Sequence, residues 1–139
     1  MANFGGHPPG YIPGMSSNQR RWSAHARSTD IFGRVLCSTR DQHFVVDGPV
    51  QNGCPGEAVT PGELFLSSVA ACGVELVQVF ARQEEVPLRA VQVEISGELD
   101  LDDPVRSDVT VFRKVHLDFA LEGTSAEQAE LLVKRFKGR

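Results

Sequence analysis

The chain reads as an α+β protein with an antiparallel sheet and a long, largely apolar central helix. Three observations predict this class. Val91, Val93, Ile95, Leu99 and Leu101 alternate with Gln92, Glu94, Ser96, Glu98 and Asp100, and Val109 to Leu121 repeats the alternation. Such a pattern marks a strand with one face buried and one in water. Between the first strand-like segments and this pair lies an apolar helical stretch, Pro61 to about Gln83. A second, amphipathic helix follows the last strand. Strands, helix, strands and helix in that order give α+β rather than a parallel α/β sheet.

Residues 1–19 are rich in Gly, Pro, Ser and Asn and read as a flexible tail, leaving 20–139 as one domain. Trp22 to Arg27 and Gly33 to Asp47 look like strands, separated by the polar turn Ser28-Thr29-Asp30. Asp47-Gly48-Pro49 is a turn cluster, and Gln51 to Gly56 is a loop by composition. Thr60-Pro61-Gly62-Glu63 is a helix start, with Thr60 as cap and Glu63 closing a capping box. In the helix that follows, Ser67, Ser68, Glu75, Gln78 and Arg82 fall in one narrow stripe and most of the remaining circumference is apolar. So apolar a helix needs cover on most sides. In a chain this small a second copy would supply it, which predicts a homodimer. Arg113 interrupts the apolar face of the last strand and predicts a bulge or an inward arginine. Thr124 or Ser125 caps the final helix, with Glu127 or Gln128 at its third position, and Ala129, Leu132, Val133 and Phe136 form its apolar stripe.

The chain has 139 residues and a mass of 15.2 kDa, the size of one ordinary domain. A net charge of −4 and a pI near 5.5 argue against a general nucleic-acid binder. Leu64 to Ala81 is apolar but contains Ser67, Ser68, Glu75 and Gln78, so a core helix fits better than a membrane span. Three cysteines do not make a disulfide framework, and no basic-then-apolar leader opens the chain. Both point to a reducing cytoplasm. The four histidines have no metal-site spacing and no CxxC pair is present, so neither metal nor cofactor is expected.

Cysteine chemistry is what remains. Cys72 lies between Ala71 and Gly73, small neighbours that leave room for a substrate. A reactive thiolate there needs a cationic partner from another element, since the helix start is about three turns away. The plainer alternative is a buried structural thiol. Glu63 is a candidate to orient such an arginine, or simply part of the cap. Cys54, in its Gly/Pro loop, is a candidate resolving thiol or an incidental one. Cys37 reads as core.

Thr60-Pro61-Gly62-Glu63-Leu64-Phe65-Leu66-Ser67-Ser68-Val69-Ala70-Ala71-Cys72 resembles the helix signature of the OsmC/Ohr family, and Phe44 to Pro49 resembles the strand and turn before it. The resemblance spans about Trp22 to Arg139. It implies an intertwined homodimer with two equivalent sites at the subunit interface. It further implies a thiol-dependent peroxidase of organic hydroperoxides or hydrogen peroxide, restored by a dithiol reductant. Cys72 matches the peroxidatic cysteine. An arginine would come from the Ser28 to Arg34 region; Arg27 and Arg34 flank it, Arg40 lies beyond, and Arg34 is carried forward as the candidate. Two departures stand out. Gly62 occupies the position where the hydroperoxidase branch has its arginine-binding glutamate, Glu63 matching the next one. The family's resolving cysteine, expected after the last helix, has no counterpart before Arg139; either the sequence is short at its C-terminus, or Cys54 or an external thiol takes that part. These departures open a second reading, a non-catalytic dimer that binds a small apolar ligand. A third is reversible adduct formation at Cys72.

Overall fold

The computed structural model describes residues 20–138, and the expected tail, 1–19, lies outside them. The chain forms two compact units, Met1–Pro61 and Gly62–Arg139.

The first unit is a three-stranded antiparallel meander of β1 (His25–Ser28), β2 (Arg34–Thr39) and β3 (Gln42–Asp47). The segment Gly33 to Asp47, expected as one strand, is two. Arg40 and Asp41 make a tight hairpin with Thr39 paired to Gln42, and Arg40 adopts a left-handed φ of 51°. No Gly or Asn marks that turn, so the sequence hid it. β1 also starts later than expected, at His25; Trp22 precedes it and is exposed. Thr29 organises the β1–β2 loop, with its hydroxyl donating to the Arg34 carbonyl and accepting from the Ile31 N–H. The register sets His25, Ser38 and His43 in one row, Ala26, Cys37 and Phe44 in the next, Arg27, Leu36 and Val45 in the one after, and Arg34 opposite Asp47 in the last. Cys37 is half-buried rather than fully in a core. After β3 comes a short 3-10 turn, Val50–Asn52, closed by left-handed Gly53.

The second unit holds α1 (Pro61–Gln83, of which Pro61 closes the first unit), β4 (Ala90–Glu98), β5 (Lys114–Glu122) and α2 (Ala126–Lys137). β4 and β5 pair antiparallel from Ala90 against Glu122 to Glu98 against Lys114. The alternation predicted both strands, but they are shorter than expected. Leu99, Leu101, Val109 and Val111 belong to the connecting loop and are exposed. Arg113 is neither a bulge nor an inward residue. It precedes β5, donates its N–H to the Glu98 carbonyl at 2.8 Å, and pairs its guanidinium with Asp103. The polar Asp100-Leu101-Asp102-Asp103 stretch turns the chain and so removes its neighbours from the ladder.

The core is Val77, Phe80 and Ala81 of α1 with Leu132 of α2; Val91 of β4, Phe119 and Leu121 of β5, and Phe136 pack around it. Gly73 lets α1 approach the sheet, because a methyl there would lie 3.2 Å from the Phe119 ring. Arg135 of α2 lies 4.5 Å over the Phe80 ring and pairs with Glu84. α2 opens with the predicted capping box: the Gln128 N–H meets Ser125 Oγ, and the Gln128 side chain returns to the Ser125 N–H.

α1 is only partly covered by its own chain. Within this chain it is fully buried only at Gly73, Val77, Phe80 and Ala81. Within its own unit, β4, β5 and α2 pack against the side of α1 that carries Val77, Phe80 and Ala81. By length and composition α1 is also apolar enough to cross a membrane, with a mean hydropathy of 1.8. It packs on β4, β5 and α2 through Gly73, Val77, Phe80 and Ala81.

Candidate active site

Cys72 sits mid-way along α1, and the contact at Gly73 decides where it points. Gly73 lies against Phe119 and Val93. One residue earlier is about 100° around the helix, which turns Cys72 away from the sheet. It is exposed, as is Ala71. The predicted polar stripe of Ser67, Ser68, Glu75, Gln78 and Arg82 is exposed as well. Phe65, two turns before Cys72 on the same side, stacks on Phe112 with ring centroids 5.7 Å apart. Phe112 fits because a side chain at Gly97 would come to 2.7 Å from its ring.

Glu63 is in the first turn of α1, where a negative charge suits the helix dipole. Nine residues separate it from Cys72. At 3.6 residues per turn that is two and a half turns, roughly 13.5 Å along the axis and the opposite side of the helix. α1 therefore does not bring Glu63 to the thiol.

In the first unit, Arg34 opens β2 directly opposite Asp47, which ends β3. Its Nε and Nη2 bond the two Asp47 carboxylate oxygens at 2.8 Å each, a bidentate pair. The same Nη2 reaches Glu57 Oε2 at 2.7 Å. Asp47 is fully buried. Its Oδ2 also accepts the N–H groups of Glu57 and Ala58 at 3.0 Å each, and its own N–H donates to the Val59 carbonyl. The buried charge thus has a partner on every side, which a buried carboxylate requires. The Arg34 guanidinium holds the Asp47 carboxyl well below the usual carboxylate range; burial opposes this, and the Ala58 and Glu57 N–H groups add to it. Asp47 and then Glu57 raise the arginine in turn, so Arg34 is permanently charged.

Asp47 and Glu57 are the members of this cluster that the sequence did not single out. Asp47 was legible only as a turn residue. Its one-letter neighbourhood gives no sign of burial, since the chain that covers it returns ten residues later. Arg27 is exposed on β1, and Arg40 occupies the hairpin turn. Cys54, expected in an open loop, is half-buried with its thiol against Gly33 and Gly48. All three cysteines are free thiols. Among the described residues no group of three or more His, Cys, Asp or Glu side chains is placed to hold a metal.

Residues 54–139 match the family profile described as OsmC-like protein. The chain belongs to the OsmC-like family. No curated protein sequence matches this OsmC-like chain. Solved structures do. An OsmC-like protein from Mycoplasma pneumoniae superposes with a TM-score of 0.74 at 13% identity, covering 86% of this chain and 82% of that one. An organic hydroperoxide resistance protein from Elizabethkingia anophelis gives 0.71 at 14% identity, covering 88% and 85%. An organic hydroperoxide resistance protein OsmC from Legionella pneumophila gives 0.68 at 22% identity, covering 85% and 82%. At these identities the likeness is one of fold. The OsmC-like fold and family agree with the resemblance read from the Thr60 to Cys72 segment.

Proposed function

We propose that this OsmC-like protein is a thiol-dependent peroxidase that reduces organic hydroperoxides or hydrogen peroxide through Cys72. The observation that supports it is the placement of Cys72. It is an exposed thiol within the family-matched region, flanked by small residues and turned outward by the Gly73 contact.

The chemistry follows from a thiolate. Its sulfur attacks the terminal peroxide oxygen, an S–O bond forms and the O–O bond breaks. The leaving alkoxide takes a proton and departs as the alcohol. Cys72 is oxidised to a sulfenic acid and the peroxide is reduced. A dithiol reductant then attacks the sulfenic sulfur, releasing water and forming a mixed disulfide. Its second thiol frees Cys72 and leaves the reductant as a disulfide. A homodimer would cover the exposed side of α1 and enclose the thiol in apolar surroundings; no cofactor enters the reaction. A reducing compartment such as the cytoplasm supplies the dithiol. Arg34 is the proposed cation for the thiolate. Glu63, on the far side of α1, serves the helix start in this reading.

One observation favours the alternative, a non-catalytic dimer binding a small apolar ligand. Two carboxylates already neutralise Arg34. A single experiment separates the readings. The reduced protein is given cumene hydroperoxide with a dithiol present, and peroxide consumption is compared with that of Cys72→Ser. Turnover that disappears in the variant supports the peroxidase. No turnover in the wild type refutes it and leaves the binding dimer.

A further inference from the structure

Cys54 lies on the loop between β3 and α1, in a slot made by two glycines. A side-chain carbon built on Gly33 would overlap the Cys54 sulfur and come within 2.6 Å of its Cβ. One built on Gly48 would overlap the same sulfur and lie 3.0 Å from that Cβ. The thiol therefore fills the space that both glycines leave open. The two glycines are themselves joined, the Gly48 N–H donating to the Gly33 carbonyl at 2.8 Å.

The position matters because of the neighbours. Gly33 immediately precedes Arg34, and Gly48 immediately follows Asp47. Three residues beyond Cys54 comes Glu57, whose carboxylate holds Arg34 and whose N–H holds Asp47. The loop that bears Glu57 is thus anchored through the Cys54 side chain to the end of the sheet that bears Arg34 and Asp47. Interiors pack closely enough that such an anchor transmits strain rather than absorbing it.

We infer that Cys54 is a positioning residue: its side chain, seated between Gly33 and Gly48, holds the Glu57 loop onto the Arg34–Asp47 pair. Its effect on Cys72 rests on the proposed role of Arg34; the seating itself does not.

The test uses the full reduced chain and four variants, Gly48→Ala, Cys54→Ala, Gly48→Ala/Cys54→Ala and Cys54→Ser, with Arg34→Met as reference. Two quantities are measured. One is the melting temperature. The other is the rate at which iodoacetamide alkylates Cys72 at neutral pH, followed on the Cys72 peptide by mass spectrometry. Gly48→Ala is expected to lower the melting temperature by several degrees in the wild-type background and much less when Cys54 is already alanine. Two groups that compete for one space are non-additive. Cys54→Ser, nearly the same size, should stay close to wild type in both measurements. Gly48→Ala should slow alkylation toward the rate of Arg34→Met, which is expected to lie several-fold below wild type. The double variant should recover part of that loss.

Additive losses of melting temperature would overturn the inference. So would a Cys54–Cys72 disulfide, seen as the loss of two hydrogens in the intact mass after one equivalent of hydroperoxide. If the temperatures are non-additive but Arg34→Met alkylates at the wild-type rate, the seating of Cys54 stands and the assignment of Arg34 to the thiol fails.

Discussion

Leu131 and Leu132 are neighbours of identical chemistry with opposite surroundings, and replacing each by alanine tests the core directly. Leu132 is 1% exposed and packs with Val77, Phe80 and Ala81. Leu131 is 62% exposed. Leu132→Ala removes three buried carbons, worth roughly 0.8 kcal/mol each in transfer. The remaining cavity adds about 24 cal/mol per Å³. Together these give about 3–4 kcal/mol, a large share of the 5–15 kcal/mol typical of a whole domain. At this chain length the melting temperature should fall by roughly 10 °C. Leu131→Ala should cost less than about 0.5 kcal/mol, as surface changes do. Urea unfolding followed by far-UV circular dichroism, at one protein concentration for all variants, measures both. A Leu131→Ala loss equal to that of Leu132→Ala would refute the assignment of the core to one face of α2. It would place the other face in an interface instead.

Two further outcomes follow from local geometry. The Asp47 carboxyl is held below its unfolded range by Arg34. A depressed carboxylate contributes stability that is present above its unfolded pKa of about 4 and lost as the pH falls below it. Asp47→Asn should therefore be less stable at neutral pH but lose less on acidification than wild type; parallel pH profiles for the two proteins would contradict the ion pair. Ser125→Ala removes the hydroxyl that caps α2. It should cost about 1 kcal/mol, and Ser125→Asp should not; equal losses in urea titrations would argue against the cap.

Much of the second unit was legible in the sequence because its signals are local. The period of two in Val91 to Ile95 and in Val115 to Leu121 named both strands, and Ser125 with Gln128 named the start of α2. The Thr60 to Cys72 run identified the family segment, and its proline marked the start of α1. The strand ends were less legible. Leu99 and Val111 continue the alternation on paper, but the acidic turn between them takes them out of the ladder. The Arg40 hairpin was invisible because its left-handed residue is one that rarely adopts that conformation.

The sequence by itself determined the class of the fold, the order and type of its main elements, and the cysteine on which a chemical reading can rest. Each depends on contacts within one or two turns of helix or one pair of strands. Tertiary structure alone decided which groups meet. Arg34 joins Asp47 from thirteen residues away and Glu57 from twenty-three. Cys54 seats between glycines that lie on either side of a hairpin. Gly73 meets Phe119 across the helix–sheet boundary and so turns Cys72 outward. The physical reason is that a buried charge or a close-packed thiol is defined by what the returning chain brings to it, and no local pattern encodes that return.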